Sequence, residues 1–252
     1  MNITWNADKY ASDFSFVYKY GEDVLGLLDL PAGASVLDLG CGSGALSKAL
    51  AERGYRVTAA DASPEQLRKA RELNPGIEYI QADATNFTLP EPVDGVFSNA
   101  VFHWIDSEKQ ADMLSCIFRA LKPGGQLVFE MGGKGNNQLI HAALTEEFTE
   151  RGLTYNIGKY FASIGEYDQK LETAGFKVVY ATLFDRPTEL HGEHGAADWI
   201  DMFAGNAFEG MSSEQKREIE LATEGRLRPA LYRSGKWYAD YVRLRMKAVK
   251  PL

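Results

Sequence analysis

Between residues 34 and 131 the chain alternates short apolar runs with helical stripes, and this alternation constrains the fold more than any other feature. Residues 34–39, 55–60, 77–81, 93–99 and 126–131 read as strands. Ala45, Leu46, Ala49 and Leu50 form one helical stripe, with Gly54 as its stop. Ser63, Pro64 and Gln66 supply an N-cap, a proline at N1 and a capping-box partner at N3. Residues 107–121 carry Leu114, Ile117, Phe118 and Leu121 at helical spacing, and Lys122-Pro123-Gly124-Gly125 ends them. Strands separated by helices must run parallel with right-handed crossovers, so the expected class is α/β.

The flanks follow other patterns. Residues 1–28 hold Trp5, Tyr10, Phe14, Phe16, Tyr18 and Tyr20 and read as a helical preface. Residues 137–175 read as helical, with a second capping box at Ser163 and Glu166 and a stop at Gly175. A sixth strand is expected over 176–184 and helices around 198–203 and 213–224. Residues 236–250 alternate Val242, Leu244, Met246 and Ala248 with Arg243, Arg245 and Lys247, the pattern of a strand with one polar face. No repeat or linker interrupts the 252 residues, which read as one domain. The net charge of −8 repels phosphate backbones and argues against a nucleic-acid partner. Cys41 and Cys116 make no disulfide framework, and with four histidines no zinc cluster, so no metal is expected. The first ten residues lack a leader pattern and no membrane-length apolar run occurs, so a cytoplasmic protein without membrane contact is expected. No heptad seam distinguishes a monomer from a homodimer.

The run Val36-Leu37-Asp38-Leu39-Gly40-Cys41-Gly42-Ser43-Gly44 lies between an expected strand and an expected helix. Glycines there let the backbone turn sharply and let a ligand approach the main chain. Asp61, 21 residues after Gly40, ends the second strand, where an acid can accept both ribose hydroxyls of a nucleoside. Gly40, Gly42 and Ala45 also satisfy a dinucleotide fingerprint, so the loop alone leaves NAD open. An ionised Asp38 beside the turn would repel a pyrophosphate and tolerate a cationic ligand.

The run Asp38 to Gly44 resembles motif I of the class I S-adenosylmethionine-dependent methyltransferases, and four further stretches resemble that family in order and spacing. These are Asp61, Gln81-Ala82-Asp83-Ala84, Phe97-Ser98-Asn99-Ala100 and Leu121 to Gly125. Trp5-Asn6 with Tyr10, the segment Asn99 to Trp104 and the ending Tyr238 to Leu244 are similar to trans-aconitate methyltransferase-like enzymes. The resemblance implies a Rossmann-like seven-stranded, mostly parallel sheet in the order 3-2-1-4-5-7-6, with its last strand antiparallel. It implies an N-terminal helical cover (1–30), a cofactor core (34–131), a helical lid with strand 6 (137–235) and a final strand (236–250). S-adenosyl-L-methionine is the implied cofactor, with Asp83 at its adenine amino group and Asn99 on its methionine side. The binding set is Asp38, Gly40, Gly42, Gly44, Asp61, Ala62, Asp83, Ala84, Asn99 and Ala100, joined by Tyr10 and Tyr18 from the cover.

Methyl transfer needs nucleophile, methyl carbon and sulfur in line with water excluded. A carboxylate acceptor is already anionic, whereas a hydroxyl, amine or carbon gains about 10²- to 10⁴-fold from a base. His103, on the loop after the fourth strand, is the candidate base, and Trp104 can wall the pocket or pack on the next helix. Cys41 reads as a small inward side chain and not as a nucleophile. Tyr10, Phe14 and Tyr18 share one helical stripe, which suits a cover or a core face equally. Residues 226–250 carry eight basic residues and one acid, and Arg233, or Lys159 with Arg186, can anchor an acidic acceptor. The sequence lacks the N/D-P-P-Y/F/W, Pro-Cys and clustered-acid signatures of several other methylating enzymes. A small-molecule acceptor, a carboxylic acid among the options, is the leading reading. A carrier-protein-bound acid, an NAD-linked oxidoreductase and an inactive nucleoside-binding module are its rivals.

Overall fold

Both faces of the central strands carry apolar side chains, because helices cover both. The computed structural model describes Gly21 and residues 23–252, so Tyr10, Phe14, Tyr18 and most of the expected cover lie outside the described residues. In chain order the elements begin with β1 (Ser35–Leu39), α1 (Ala45–Glu52), β2 (Arg56–Asp61), α2 (Pro64–Leu73), β3 (Glu78–Gln81) and β4 (Val93–Asn99). They continue with α3 (Gln110–Ala120), β5 (Leu121–Gly132), α4 (Gln138–Glu150), α5 (Ile164–Thr173) and β6 (Lys177–Leu190). The last are α6 (Gly195–Phe203), α7 (Ser213–Leu231), β7 (Tyr232–Arg233) and β8 (Lys236–Val249). Short 3₁₀ turns at Phe102–Trp104 and Ser107–Lys109 link β4 to α3.

The strand order is β3-β2-β1-β4-β5-β8-β6, with the two-residue β7 paired only to β8. With β7 set aside this is the expected 3-2-1-4-5-7-6. The pairs β3–β2, β2–β1, β1–β4 and β4–β5 are parallel. β8 runs against β5: Gly124 N–H donates to the Lys250 carbonyl and Lys250 N–H to that of Gly125, while Arg245 reaches Glu130 near the other end. On one face of the sheet Val36, Phe97 and Val128 pack with Leu46 and Leu50 of α1. On the other, Leu37, Leu39, Val96, Leu127 and Phe129 pack with Met113, Leu114 and Ile117 of α3.

The chain divides into two compact units. The first takes the described residues up to Gly133 with Tyr160–Leu183 and Leu244–Leu252, and the second takes Lys134–Lys159 and Phe184–Arg243. Residues 160–183 of the expected lid range therefore belong to the first unit. In the second, Arg226 of α7 pairs with Glu146, Glu147 and Glu150 of α4, and Arg151 also reaches Glu147. The start of α4 is capped from β8, where Asp240 Oδ2 accepts the Leu139 N–H at 2.8 Å.

Several local expectations are corrected. The Lys122 to Gly125 run lies within β5 as a bulge: Val93 pairs with Leu121 but Gly95 with Gln126, so the run swells out of register. Residues 151–163 are not helical; Gly152 and Gly158 take positive φ (69° and 59°) and α4 ends before them. Gln66 gives its backbone N–H to Ser63 Oγ (3.3 Å), but the Ser63 N–H donates to Asp61 Oδ1 (2.8 Å). In β8 the covered face changes: Trp237, Ala239, Tyr241 and Arg243 are buried, then Leu244, Met246 and Ala248. A single polar face does not run the length of the strand.

Candidate active site

The carboxyl ends of β1, β2, β3 and β4 lie side by side, since Leu39 pairs with Ala60, Asp61 with Gln81 and Asp38 with Phe97. Open α/β sheets bind ligands at this edge. Gly40 and Cys41 both donate backbone N–H bonds to the Ala60 carbonyl (2.7 and 3.0 Å), which folds the loop back over β2. Gly40, Gly42 and Gly44 have φ of 79°, 53° and 81°. A Cβ on Gly40 would sit 2.2 Å from Val101 Cγ2, and one on Gly44 2.7 Å from the Tyr79 hydroxyl. A Cβ on Gly42 would meet only Gln66 Oε1 at 4.0 Å. Gly42 is thus the loop position whose side-chain direction opens on space, a cradle for a ligand.

Asp61 ties this loop to β2. Its Oδ2 accepts the Gly42 N–H (2.9 Å) and its Oδ1 the Ser63 N–H (2.8 Å). Burial raises its pKa and these backbone bonds oppose the rise. Each carboxylate oxygen has two lone pairs, so one direction per oxygen can serve a ligand hydroxyl. Ala62 is exposed beside it. Asp38 is buried on the α1 face of β1 and accepts a 2.5 Å hydrogen bond from Ser47 Oγ. Burial pushes its carboxyl up to about 7, Ser47 pulls it down and Asp61 adds a smaller upward push. At neutral pH it is about half ionised, so repulsion of a pyrophosphate by a fully ionised Asp38 is a weaker argument than the sequence suggested.

After β3, Asp83 Oδ1 accepts both the Thr85 N–H (2.8 Å) and the Thr85 hydroxyl (2.7 Å), which hold its pKa below the usual range. Asp83 thereby anchors a turn at the rim, followed by half-buried Ala84. Asn99 closes β4 opposite Glu130. Ala100 takes φ 61°, a left-handed conformation costly for a residue with a Cβ, and its N–H donates to the Glu130 carbonyl (2.8 Å). Glu130 in turn accepts from Arg245 (2.8 Å). Strain held this way clusters at functional loops. Cys41 is buried among Ala59, Leu67, Ala70 and Tyr79, and burial drives its thiol pKa far upward.

His103 is buried on the 3₁₀ turn after Ala100. Its Nδ1 accepts the Gly132 N–H (3.2 Å), and its carbonyl accepts the Tyr160 N–H (3.0 Å). Its ring lies 5.4 Å from Trp104 and 6.0 Å from Phe161 between centroids. Gln110 Nε2 spans the turn by donating to the carbonyls of Phe102 (2.9 Å) and Ile105 (2.7 Å), and the Tyr167 hydroxyl donates to Gln110 Oε1 (2.8 Å). Sequence reasoning missed Ser47, Gln110 and Tyr167. Ser47 had one usable signal, a small polar residue on the inward stripe of α1 beside Leu46 and Leu50.

Residues 36–125 match a family described as a methyltransferase domain. The chain is 31% identical over 264 residues to an uncharacterized methyltransferase of Schizosaccharomyces pombe, covering 98% of each protein. The chain belongs to the class I S-adenosylmethionine-dependent methyltransferases. This methyltransferase is also 30% identical over 204 residues to the trans-aconitate 2-methyltransferase of Methylobacterium nodulans, covering 78% of each. An S-adenosylmethionine-dependent methyltransferase from Mesorhizobium loti shares its fold, with a TM-score of 0.54 at 19% identity over 90% of this chain and 95% of the other. The cofactor of this methyltransferase is S-adenosylmethionine. Among the described residues no helix is long and apolar enough to cross a membrane.

Proposed function

We propose that this methyltransferase esterifies a carboxylate of a small organic acid. S-adenosylmethionine supplies an electrophilic methyl carbon on a sulfonium. Asp61 receives the ribose hydroxyls on the oxygen directions left beside its two backbone bonds, and Gly42 admits the ligand against the main chain. Asp83 meets the adenine amino group at the rim, with Ala62 and Ala84 beside it. Asp38, once ionised, faces the cationic end, and Asn99 and Ala100 border the methionine side. Tyr10 and Tyr18 remain expectations beyond the described residues.

The observation that carries the acceptor reading is the hydrogen bond from the Gly132 N–H to His103 Nδ1. With Nδ1 accepting, the neutral imidazole carries its proton on Nε2 and is a donor, not a base. A donor suits an acceptor that arrives ionised, because a carboxylate needs orienting and no deprotonation. The trans-aconitate 2-methyltransferases among the relatives support the same class of acceptor. In this reading His103 orients the acceptor oxygen.

The test is transfer of labelled methyl from S-adenosylmethionine to a panel of acids including trans-aconitate, with His103→Gln and His103→Ala variants. Glutamine can accept from Gly132 and donate in place of Nε2, so His103→Gln should keep turnover within roughly tenfold while His103→Ala loses more. A loss of about a hundredfold or more in both variants would make His103 a base. Label on a hydroxyl or amine and on no acid would overturn the carboxylate reading.

A further inference from the structure

Asp38 and Ser47 meet beside the glycine loop, within the first unit. Both side chains are buried, so their contact is shielded from water. Ser47 lies in the first turn of α1, on the inward stripe with Leu46 and Leu50, and its Oγ donates to Asp38 Oδ2 at 2.5 Å. A distance this short is characteristic of a hydroxyl bound to an ionised carboxylate. Gly44 caps α1 without a side-chain bond, and the first turn of the helix holds no acid. The positive end of α1 therefore favours the same ionised form of Asp38. The bond ties β1 to α1, the two elements that the glycine loop connects.

The other titratable groups that act on Asp38 or feel its charge are Asp61 of β2, Cys41 of the loop and Tyr79 of β3. Asp61 pushes the Asp38 carboxyl upward, as burial does more strongly, while Ser47 pulls it down. Cys41 and Tyr79 are both raised above their ordinary values and stay neutral at neutral pH. With the Asp38 carboxyl at about 7, its ionised fraction at neutral pH responds steeply to any change in the pull from Ser47. The charge matters because the reaction changes its ligand. The methionyl end of S-adenosylmethionine carries an ammonium, a carboxylate and a sulfonium, a single net positive charge. In methyl transfer the acceptor's electron pair takes the methyl carbon and the carbon–sulfur pair stays on sulfur. The same end of S-adenosylhomocysteine is thus neutral overall. A buried carboxylate separates the two compounds electrostatically only when it is ionised.

We propose that Ser47 is a positioning residue that, through Asp38, raises affinity for S-adenosylmethionine relative to S-adenosylhomocysteine. The inference rests on the reading that Asp38 faces the cationic end of the cofactor. Calorimetric titration of the full chain with each compound, from about pH 6 to pH 9, tests it in wild type, Ser47→Ala and Asp38→Asn. At neutral pH Ser47→Ala should weaken S-adenosylmethionine roughly tenfold and S-adenosylhomocysteine less than about threefold. The rise of S-adenosylmethionine affinity with pH should move to higher pH in Ser47→Ala, because the ionised carboxylate has lost its donor. Equal weakening of both compounds, or an unmoved pH profile, overturns the proposal and leaves Ser47 a packing residue. Asp38→Asn separates that failure from failure of the underlying reading. If Asp38→Asn keeps the wild-type ratio of the two affinities, Asp38 does not face the cationic end and both readings fall. If Asp38→Asn lowers the ratio while Ser47→Ala keeps it, Asp38 acts without Ser47 and this proposal alone is overturned.

Discussion

At the scale of single residues, Asp38 links protonation to ligand charge. Its pKa of about 7 in the fold, against 3.8 ordinarily, means that the folded chain keeps a proton which the unfolded chain has released between about pH 4 and pH 7. The contribution of Asp38 to ligand-free stability therefore falls as pH rises through that window. A cationic ligand favours the ionised form, so affinity for S-adenosylmethionine should rise roughly tenfold from pH 6 to pH 8, following the ionised fraction. Calorimetry should show that slope in wild type and a flat profile in Asp38→Asn. The loop glycines separate in the same way. Gly40→Ala places a methyl 2.2 Å from Val101 at positive φ and should cost at least about 2–4 kcal/mol of stability by thermal denaturation. Gly42→Ala points its methyl into open space; it should lose only about 1 kcal/mol of stability while cofactor affinity falls. The glycine pattern and Asp61 were legible in the sequence because they are close in the chain and chemically unusual. The partners of Asp38 and Asp61 were not, because Ser47 and the Gly42 and Ser63 amides meet them only once α1 and β2 are in place.

Elements carry the positioning of His103. Gln110, at the start of α3, bridges the carbonyls on both sides of the 3₁₀ turn and is itself held by Tyr167 of α5. Gln110→Leu fills the same space but leaves two buried carbonyls and the Tyr167 hydroxyl without that partner. It should destabilise by roughly 2–4 kcal/mol in urea unfolding and lower kcat more than the S-adenosylmethionine dissociation constant. Tyr167→Phe should show a weaker form of the same split. The helices and strands of the first unit were legible because capping residues and two-faced apolar runs are local signals. The bulge in β5 was not, because Pro123 and two glycines read as a turn. Only pairing of Leu121 with Val93 and Gln126 with Gly95 shows that they swell from a continuing strand. The change of covered face in β8 at Arg243 was hidden for a similar reason: alternation in the sequence keeps its period while the packing partners change.

For the whole molecule, the described residues proposed to hold the cofactor all belong to the first unit. Saturation with S-adenosylhomocysteine at about a hundred times its dissociation constant should add about 2.7 kcal/mol to that unit's stability. Hydrogen exchange should slow at the amides of Gly40, Gly42 and Ser63 and leave those of α4 and α7 as they were. Equal slowing in α4 and α7 would mean that the ligand is held by both units. The division itself was only partly legible, since residues 160–183 lie between second-unit segments in the chain and nothing in their composition marks them as part of the first.

β8, the last of these strands in chain order, occupies the interior of the sheet, between β5 and β6. During synthesis the amino-terminal strands can pair as they emerge, but β6 has no neighbour of its own until β8 has left the ribosome. Asp240, which caps α4 from 101 residues further along, arrives just as late. Completion of this sheet therefore waits for β8, and a nascent chain stalled before Lys236 carries two gaps where β8 belongs: one beside β5 and one at the head of α4.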